Sequence, residues 1–191
     1  MTKDRRTKRT EALLRNAFIN LLSGKKLNEI TVKELCDIAD INRGTFYLHY
    51  ADVYDLKQKL ENETCLQLEA IVTECKPPRN ADDAYTLFLM LFCFAEKNAL
   101  FFKTFLGPNG DIAFLKKMQI LFKERYLEII LQGKQPHNIA NLDYSYNFIA
   151  SGFTGLVENW LTNENPPSKE EMARLTTKII YDDLPSLMSF L

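Results

Sequence analysis

Three capping side chains fall between Thr31 and Asp52, and their spacing allows only short helices there. Thr31-Val-Lys-Glu34 has the spacing of a capping box. The Thr hydroxyl accepts from the Glu34 amide while the Glu34 carboxylate reaches back to the cap. Ile30 before the cap and Leu35 after it form a hydrophobic staple, which sets the angle at which the chain enters the helix. This predicts a helix from Val32 that buries Val32, Leu35, Cys36 and Ala39 and stops near Asp40. Ile41 is then the apolar residue of a tight turn, and Asn42 caps a very short helix running to about His49. Asp52 caps the next one, with Asp55 in its first turn, where the helix dipole favours acid.

Helical punctuation continues through the rest of the chain. Before the caps, Leu14, Ala17, Phe18, Leu21 and Leu22 recur at the spacing of one helix face, ended by Ser23-Gly24. After Asp52 a long helix is expected to about Cys75, where Pro77-Pro78 ends it. Asn80 to Asp83 caps a helix carrying Tyr85, Phe88, Leu89, Phe92 and Ala95. A short segment from Leu100 to Leu106 is closed by Gly107-Pro108-Asn109-Gly110. Amphipathic helices are predicted from Asp111 to Leu131 and from about Asn141 to Leu161, separated by a loop from Gly133 to Asn138. Pro166-Pro167 breaks the chain again, and Ser168-Lys-Glu-Glu171 is a second capping box, opening a last helix to about Asp183. The chain is therefore expected to be all-α, with about nine helices. The expected division is a head over 1–50, a connecting helix over 51–76 and a helical body over 77–191.

Charge separates the same regions. The net charge is −1, yet residues 1–60 hold 12 basic against 8 acidic side chains while the remainder holds 12 against 17. A basic head on an acidic body is expected when only the head meets phosphates. The four cysteines have no C-x-x-C spacing, so zinc and disulfides are not expected, and free thiols in a reducing cytoplasm are. The charged start has no apolar core of a signal peptide. The longest apolar run, Leu87 to Ala95, is about half of the roughly 20 residues a membrane span needs. A cytoplasmic protein without a membrane partner is expected.

The pair of short helices has the outline of a helix-turn-helix, whose second helix enters the major groove of DNA. Bracing requires Leu35, Ile38 and Ala39 to pack against Phe46 and Tyr50. At the reading end, Arg43 can pair bidentately with guanine, Gly44 permits close approach and Thr45 can meet a thymine methyl or a phosphate. Tyr47 and His49 would grip the backbone from the flank, with the Lys3–Arg9 cluster along the groove edge.

Residues 8–57 resemble the DNA-binding head of the tetracycline-repressor (TetR) family of bacterial regulators. The resemblance rests on Thr31, Val32, Leu35, Cys36, Ala39, Ile41, Asn42, Gly44, Thr45, Phe46, Tyr47, His49 and Tyr50. The body resembles a C-terminal type found in Firmicutes members, through Phe148 to Leu156, Trp160-Leu161 and the start of the last helix. The resemblance implies a homodimeric regulator, expected to be a ligand-responsive repressor of a nearby operon that binds a pseudo-palindromic double-stranded operator. The expected DNA-binding set is Thr31, Asn42, Arg43, Gly44, Thr45, Tyr47, Leu48 and His49, with Arg5, Arg6 and Arg9. The family usually places a lysine where this chain has Val53, so one phosphate contact fewer is expected, flattening the salt dependence by about one unit. A coactivator or protein-interaction module with weak DNA binding is the alternative.

In the body, 17 of the chain's 22 aromatic residues lie beyond residue 60. Most must be core, yet such a body also suits an apolar pocket for a small-molecule effector. The candidate lining is Tyr85, Phe88, Phe92, Met118, Phe122 and Phe148. Gly152 and Gly155 each cost a helix about 1 kcal/mol relative to Ala, which favours a role in close helix approach. The resemblance places the dimer on the last two long helices, so Gly152, Gly155, Val157, Trp160, Leu175 and Ile179 are the candidate interface. No phosphate loop, metal-ligand spacing or nucleophile–base pair is visible, and His49 and His137 are far apart, so neither an enzyme nor a cofactor is expected.

Overall fold

The computed structural model describes residues 2–75, 80–107, 112–131 and 139–183. Among these residues there are nine α-helices and no strand. The helix breaks expected at Pro77-Pro78 and Pro108–Gly110, the residue Asp111 and the loop with His137 lie outside the described residues. The chain forms two compact units, one built on Met1–Thr64 and the other on Cys65–Gly107 with Asp111–Leu191.

In the first unit, α1 (Thr2–Leu22) packs against α2 (Val32–Ala39), and α2 against α3 (Arg43–Tyr47). The basic cluster at the chain start is thus part of a helix. Leu14, Ala17, Phe18 and Ile19 of α1 are buried, together with Ile30, Leu35, Cys36, Ala39, Phe46 and Tyr50. Thr31 caps α2 as expected, its hydroxyl accepting from the Glu34 amide at 3.2 Å. The other half of the box is diverted, because the Glu34 carboxylate takes the Lys25 ammonium, a stronger charge-assisted partner than a neutral amide. Val32 is only half-buried, and Ile38 is 52% exposed rather than part of the brace. Leu35 and Ala39, four apart, already fill the inward face of an eight-residue helix, which turns Ile38 outward. Asp40 ends α2 in the left-handed region at φ 53° and ψ 50°. Asp tolerates that geometry better than most side chains, and it turns the chain so that the Ile41 amide donates to the Cys36 carbonyl at 3.0 Å.

The helix α4 (Val53–Glu74) begins in the first unit and continues into the second, the division falling between Thr64 and Cys65. Its start is a reciprocal cap. The Asp55 amide donates to Asp52 Oδ1 at 2.8 Å, and the Ala51 amide to Asp55 Oδ2 at 2.9 Å.

The second unit contains α5 (Ala81–Lys97), α6 (Ala99–Leu106), α7 (Ile112–Leu131), α8 (Ile139–Thr162) and α9 (Lys169–Thr177), which runs on as a π-helical turn over Lys178–Asp183. Helix α5 packs chiefly on α9, while α6 and α7 pack on α8. At Asn98 the chain bends by 90° between α5 and α6, and the Asn98 side chain donates to the Phe94 carbonyl at 2.9 Å. Two aromatic groups fill the core. Phe92 meets Trp160 edge-on at 5.2 Å and Phe153 at 5.7 Å. Phe101 stacks on Phe105 at 4.2 Å, with Phe114 edge-on to both. The Ser168 capping box forms in full, with Glu171 closing it. Among the described residues, no single helix is long and apolar enough to cross a membrane.

Candidate nucleic-acid interface

Helix α3 is only five residues long, so its direction depends on what holds its ends. At its start the Asn42 side chain accepts from the Gly44 amide at 2.8 Å. At its finish the His49 and Tyr50 amides both donate to the Phe46 carbonyl at 2.9 Å. The helix stops two residues sooner than the sequence predicts, and Leu48 to Tyr50 form the closing turn. Residues four apart share a face. Phe46 and Tyr50 point inward, their ring centres 5.6 Å apart. Arg43 with Tyr47, and Gly44 with Leu48, lie on the exposed side, Leu48 being 83% exposed. Thr45 is half-buried, while Asn42 and Thr31 are exposed. A Cβ added at Gly44 would stand 3.3 Å from Asn42 Oδ1. The glycine therefore serves the cap as well as any approach to a groove.

His49 differs from the expectation of an outward flank. Its ring Nδ1 lies 3.3 Å from the Glu11 carboxylate of α1, and its side chain is 14% exposed. Arg5, Arg6 and Arg9 are exposed on α1, with Arg5 and Arg9 one turn apart. Four other basic residues of this unit are engaged by its own carboxylates: Arg15 by Glu63, Lys25 by Glu34, Lys57 by Glu61 and Lys59 by Asp55. Val53, where the family pattern predicts a lysine, is 5% exposed and belongs to the core with Leu56 and Leu60. Thr31, Lys33, Glu34, Asp37 and Ile38 line a shallow open depression on α2.

Lys59 has no counterpart in the sequence expectations. Its ammonium donates to the His49 carbonyl at 2.9 Å and to Asp55 Oδ2 at 3.0 Å, and lies 5.2 Å from the centre of the Tyr50 ring. The Ala51 amide, then Lys59, hold the Asp55 carboxyl below its ordinary value. Burial pushes the Tyr50 phenol up to about 12, helped by Glu11, Glu63 and Asp55 and opposed by Arg15. Burial also raises the Cys36 thiol. A signal for Lys59 did exist, since Asp55 and Lys59 are four apart on one helix, but the backbone partner was not foreseeable from spacing.

In the second unit the structure divides the candidate ligand residues. Phe88 and Phe92 both pack on Phe153 at 5.7 Å. Tyr85 lies under the Arg174 guanidinium at 5.9 Å, Met118 is buried and Phe122 half-buried. Phe148 is 68% exposed and faces away from that core. The periodicity of α8 explains this: Tyr146, Phe153, Val157 and Trp160 form the inward face, leaving Tyr144, Phe148, Gly152 and Gly155 outward. Two interface candidates face inward by the same periodicity. Val157 and Trp160 are buried in the unit's own core, the Trp160 indole N–H donating to the Pro167 carbonyl at 2.8 Å. Gly152 and Gly155 have open space where a Cβ would stand, with nothing within 4 Å among the described residues. Leu175 and Ile179 are exposed.

A capped, braced short helix with an exposed polar start, followed in the chain by a helical unit, is the build of a helix-turn-helix transcriptional regulator. Residues 82–182 match the family model described as a transcriptional regulator C-terminal region of TetR type, and the chain belongs to the TetR family of transcriptional regulators. It is similar to YxbF, an HTH-type transcriptional regulator of Bacillus subtilis, at 33% identity over 76 residues. That stretch is 39% of this chain and 20% of the relative, so the chain spans about a fifth of that relative's length. Among solved structures it is similar to a TetR regulator of Streptococcus agalactiae, with a TM-score of 0.62 and 22% identity over 94% of this chain and 98% of that one. It is also similar to FadR of Bacillus subtilis, solved with stearoyl-CoA, with a TM-score of 0.65 and 14% identity over 90% and 97% of the two chains.

Proposed function

We propose that this chain is a homodimeric, ligand-responsive repressor that binds a pseudo-palindromic operator through α3. The observation that carries this reading is the exposed row Asn42, Arg43, Gly44, Tyr47 and Leu48 on a helix whose other face is locked by Phe46 and Tyr50. Arg43 and Thr45 read base edges, while Thr31, Tyr47 and the α1 arginines Arg5, Arg6 and Arg9 hold phosphates. His49 acts from behind, through Glu11. In functional terms, 1–50 reads DNA, 51–76 connects and 77–191 holds the effector and the dimer contact.

Tyr144, Phe148, Gly152 and Gly155 leave α8 an outward face that is apolar and glycine-notched. With Leu175 of α9 and Ile179 of the π-helical turn that follows it, it suits a second copy of the chain. The effector is a small molecule with apolar character, met by Tyr85, Phe88, Met118 and Phe122. It acts by binding the two states of the dimer with different affinity, without which nothing would shift. The protein works in the cytoplasm and turns over no substrate. An anisotropy titration against upstream duplexes at several salt concentrations tests this, and equal binding to all sequences at every salt would refute it.

A second reading has its own observation. Buried Val53 and four head cations engaged by carboxylates leave fewer charges for phosphates, which favours a coactivator that works through a partner protein. Capture of an operon-encoded partner that is insensitive to Arg43→Ala, with no operator preference in the same protein, would select it.

A further inference from the structure

We propose that Lys59 is a positioning residue that fixes the finishing end of the reading helix, and that its charge is not offered to DNA. The inference rests on the DNA-reading role of α3 given above. An ammonium has three donors and no acceptor, and three groups surround this one. The His49 carbonyl lies at 2.9 Å, the Asp55 carboxylate at 3.0 Å and the Tyr50 ring at 5.2 Å. They come from the turn closing α3 and the first turn of α4. Asp55 is itself tied to the Ala51 amide, so the cation bridges two elements that are each already anchored.

His49 is gripped from both sides. Lys59 of α4 holds its carbonyl, and Glu11 of α1 faces its ring at 3.3 Å. Such a grip matters because α3 is too short to keep its direction by helical cooperativity alone. A shift of about 1 Å at its end would stretch a base contact beyond the range in which a hydrogen bond holds. Lys59 therefore controls how well Arg43 and Thr45 are presented, although it touches neither a base nor a phosphate. This separates it from the lysine that the family pattern places at Val53, which would act as a charge.

The test uses full-length protein, a duplex selected from a random pool by the wild type, and a scrambled duplex of equal length. Anisotropy titrations at several salt concentrations are paired with amide hydrogen exchange on the protein alone. Lys59→Met, which keeps the stem over Tyr50 but loses the donors, is expected to weaken binding to the selected duplex about tenfold, or ~1.4 kcal/mol. Binding to the scrambled duplex and the salt slope stay unchanged, exchange at the His49 and Tyr50 amides accelerates, and Lys59→Arg restores wild-type behaviour. Asp55→Asn, which keeps an acceptor for Ala51, shifts both readouts in the same direction to a smaller extent, and it decides the matter if Lys59→Met gives no cooperative melt.

Equal losses on both duplexes with a salt slope lower by about one would make Lys59 a phosphate contact and overturn the proposal. Unchanged binding and exchange would overturn it too. A wild type that selects no duplex refutes the DNA-reading role instead, while the exchange rates still decide the clasp.

Discussion

Helices α3 and α8 both expose large apolar side chains, and they are held in place by opposite means. In α3, Tyr47 ends five helical residues and Leu48 follows as their cap, the whole pinned by an Asn42 cap, a closing turn on the Phe46 carbonyl and the Lys59 bridge. In α8, Tyr144 and Phe148 stand on a 24-residue helix that owes its place to an aromatic inward face. Polar contacts fix the direction of a short element. Apolar packing fixes the rotation of a long one. Their glycines repeat the contrast, since Gly44 sits tightly against its cap whereas Gly152 and Gly155 face open space.

The largest effect that would break this comparison is in the inward faces. Phe46→Ala and Phe92→Ala each empty a fully buried ring site and should cost ~3–5 kcal/mol, read as a fall in midpoint by chemical denaturation. Only Phe46→Ala should also abolish duplex binding by the protein that stays folded. Arg43→Ala comes next: it should remove ~1–3 kcal/mol of base discrimination with thermal stability unchanged, measured by competition between selected and scrambled duplexes. Phe148→Ala should leave the protomer within about 0.5 kcal/mol of the original stability. It should also raise the dissociation constant of the dimer in sedimentation equilibrium, and an unaltered constant would remove α8 from the interface. Asn42→Ala should cost ~1 kcal/mol and loosen α3 while leaving α8 untouched.

A finer contrast lies in two phenols, one in each unit. Tyr50 and Tyr146 are both raised from an ordinary 10.0 to about 12. Burial is the leading cause in each, but Tyr50 also feels Glu11, Glu63 and Asp55. A raised folded value favours the neutral phenol, so the stability it contributes is whole below pH 10 and is lost as pH climbs through about 12. Added salt should lower the ionisation pH of Tyr50 by screening those carboxylates. Tyrosinate absorbance with Tyr50→Phe and Tyr146→Phe controls would show this. On the acid side the sign reverses. Asp55 is held below its ordinary 3.8, so its contribution is present above that value and is lost as pH falls beneath it.

The helices and their caps were legible because the signals are local. Thr31, Asn42, Asp52, Asn80 and Ser168 each serve a backbone amide within three residues, and sequence spacing is enough to see that. The TetR resemblance was legible for the same reason. Side-chain partners at long separation were not. Glu34 left its capping box for Lys25, and His49 turned to Glu11, because charged partners outbid neutral ones and their proximity is set by tertiary structure. Rotation of the long helices was also hidden. Phe148 looks the same as Phe153 in a sequence rich in aromatics, yet one faces out and the other packs on Phe88 and Phe92. Val157 and Trp160 went to the core by the same turn of the helix.

The central claim is that α3 presents a reading face. Its most direct measurement is the ratio of affinities of full-length protein for the pool-selected and scrambled duplexes, taken across several salt concentrations with Arg43→Ala alongside. The expected ratio is about 10³ or more, largely kept as salt rises and cut roughly 5- to 150-fold by Arg43→Ala. A ratio near one at every salt, or a preference that survives Arg43→Ala intact, would contradict the account.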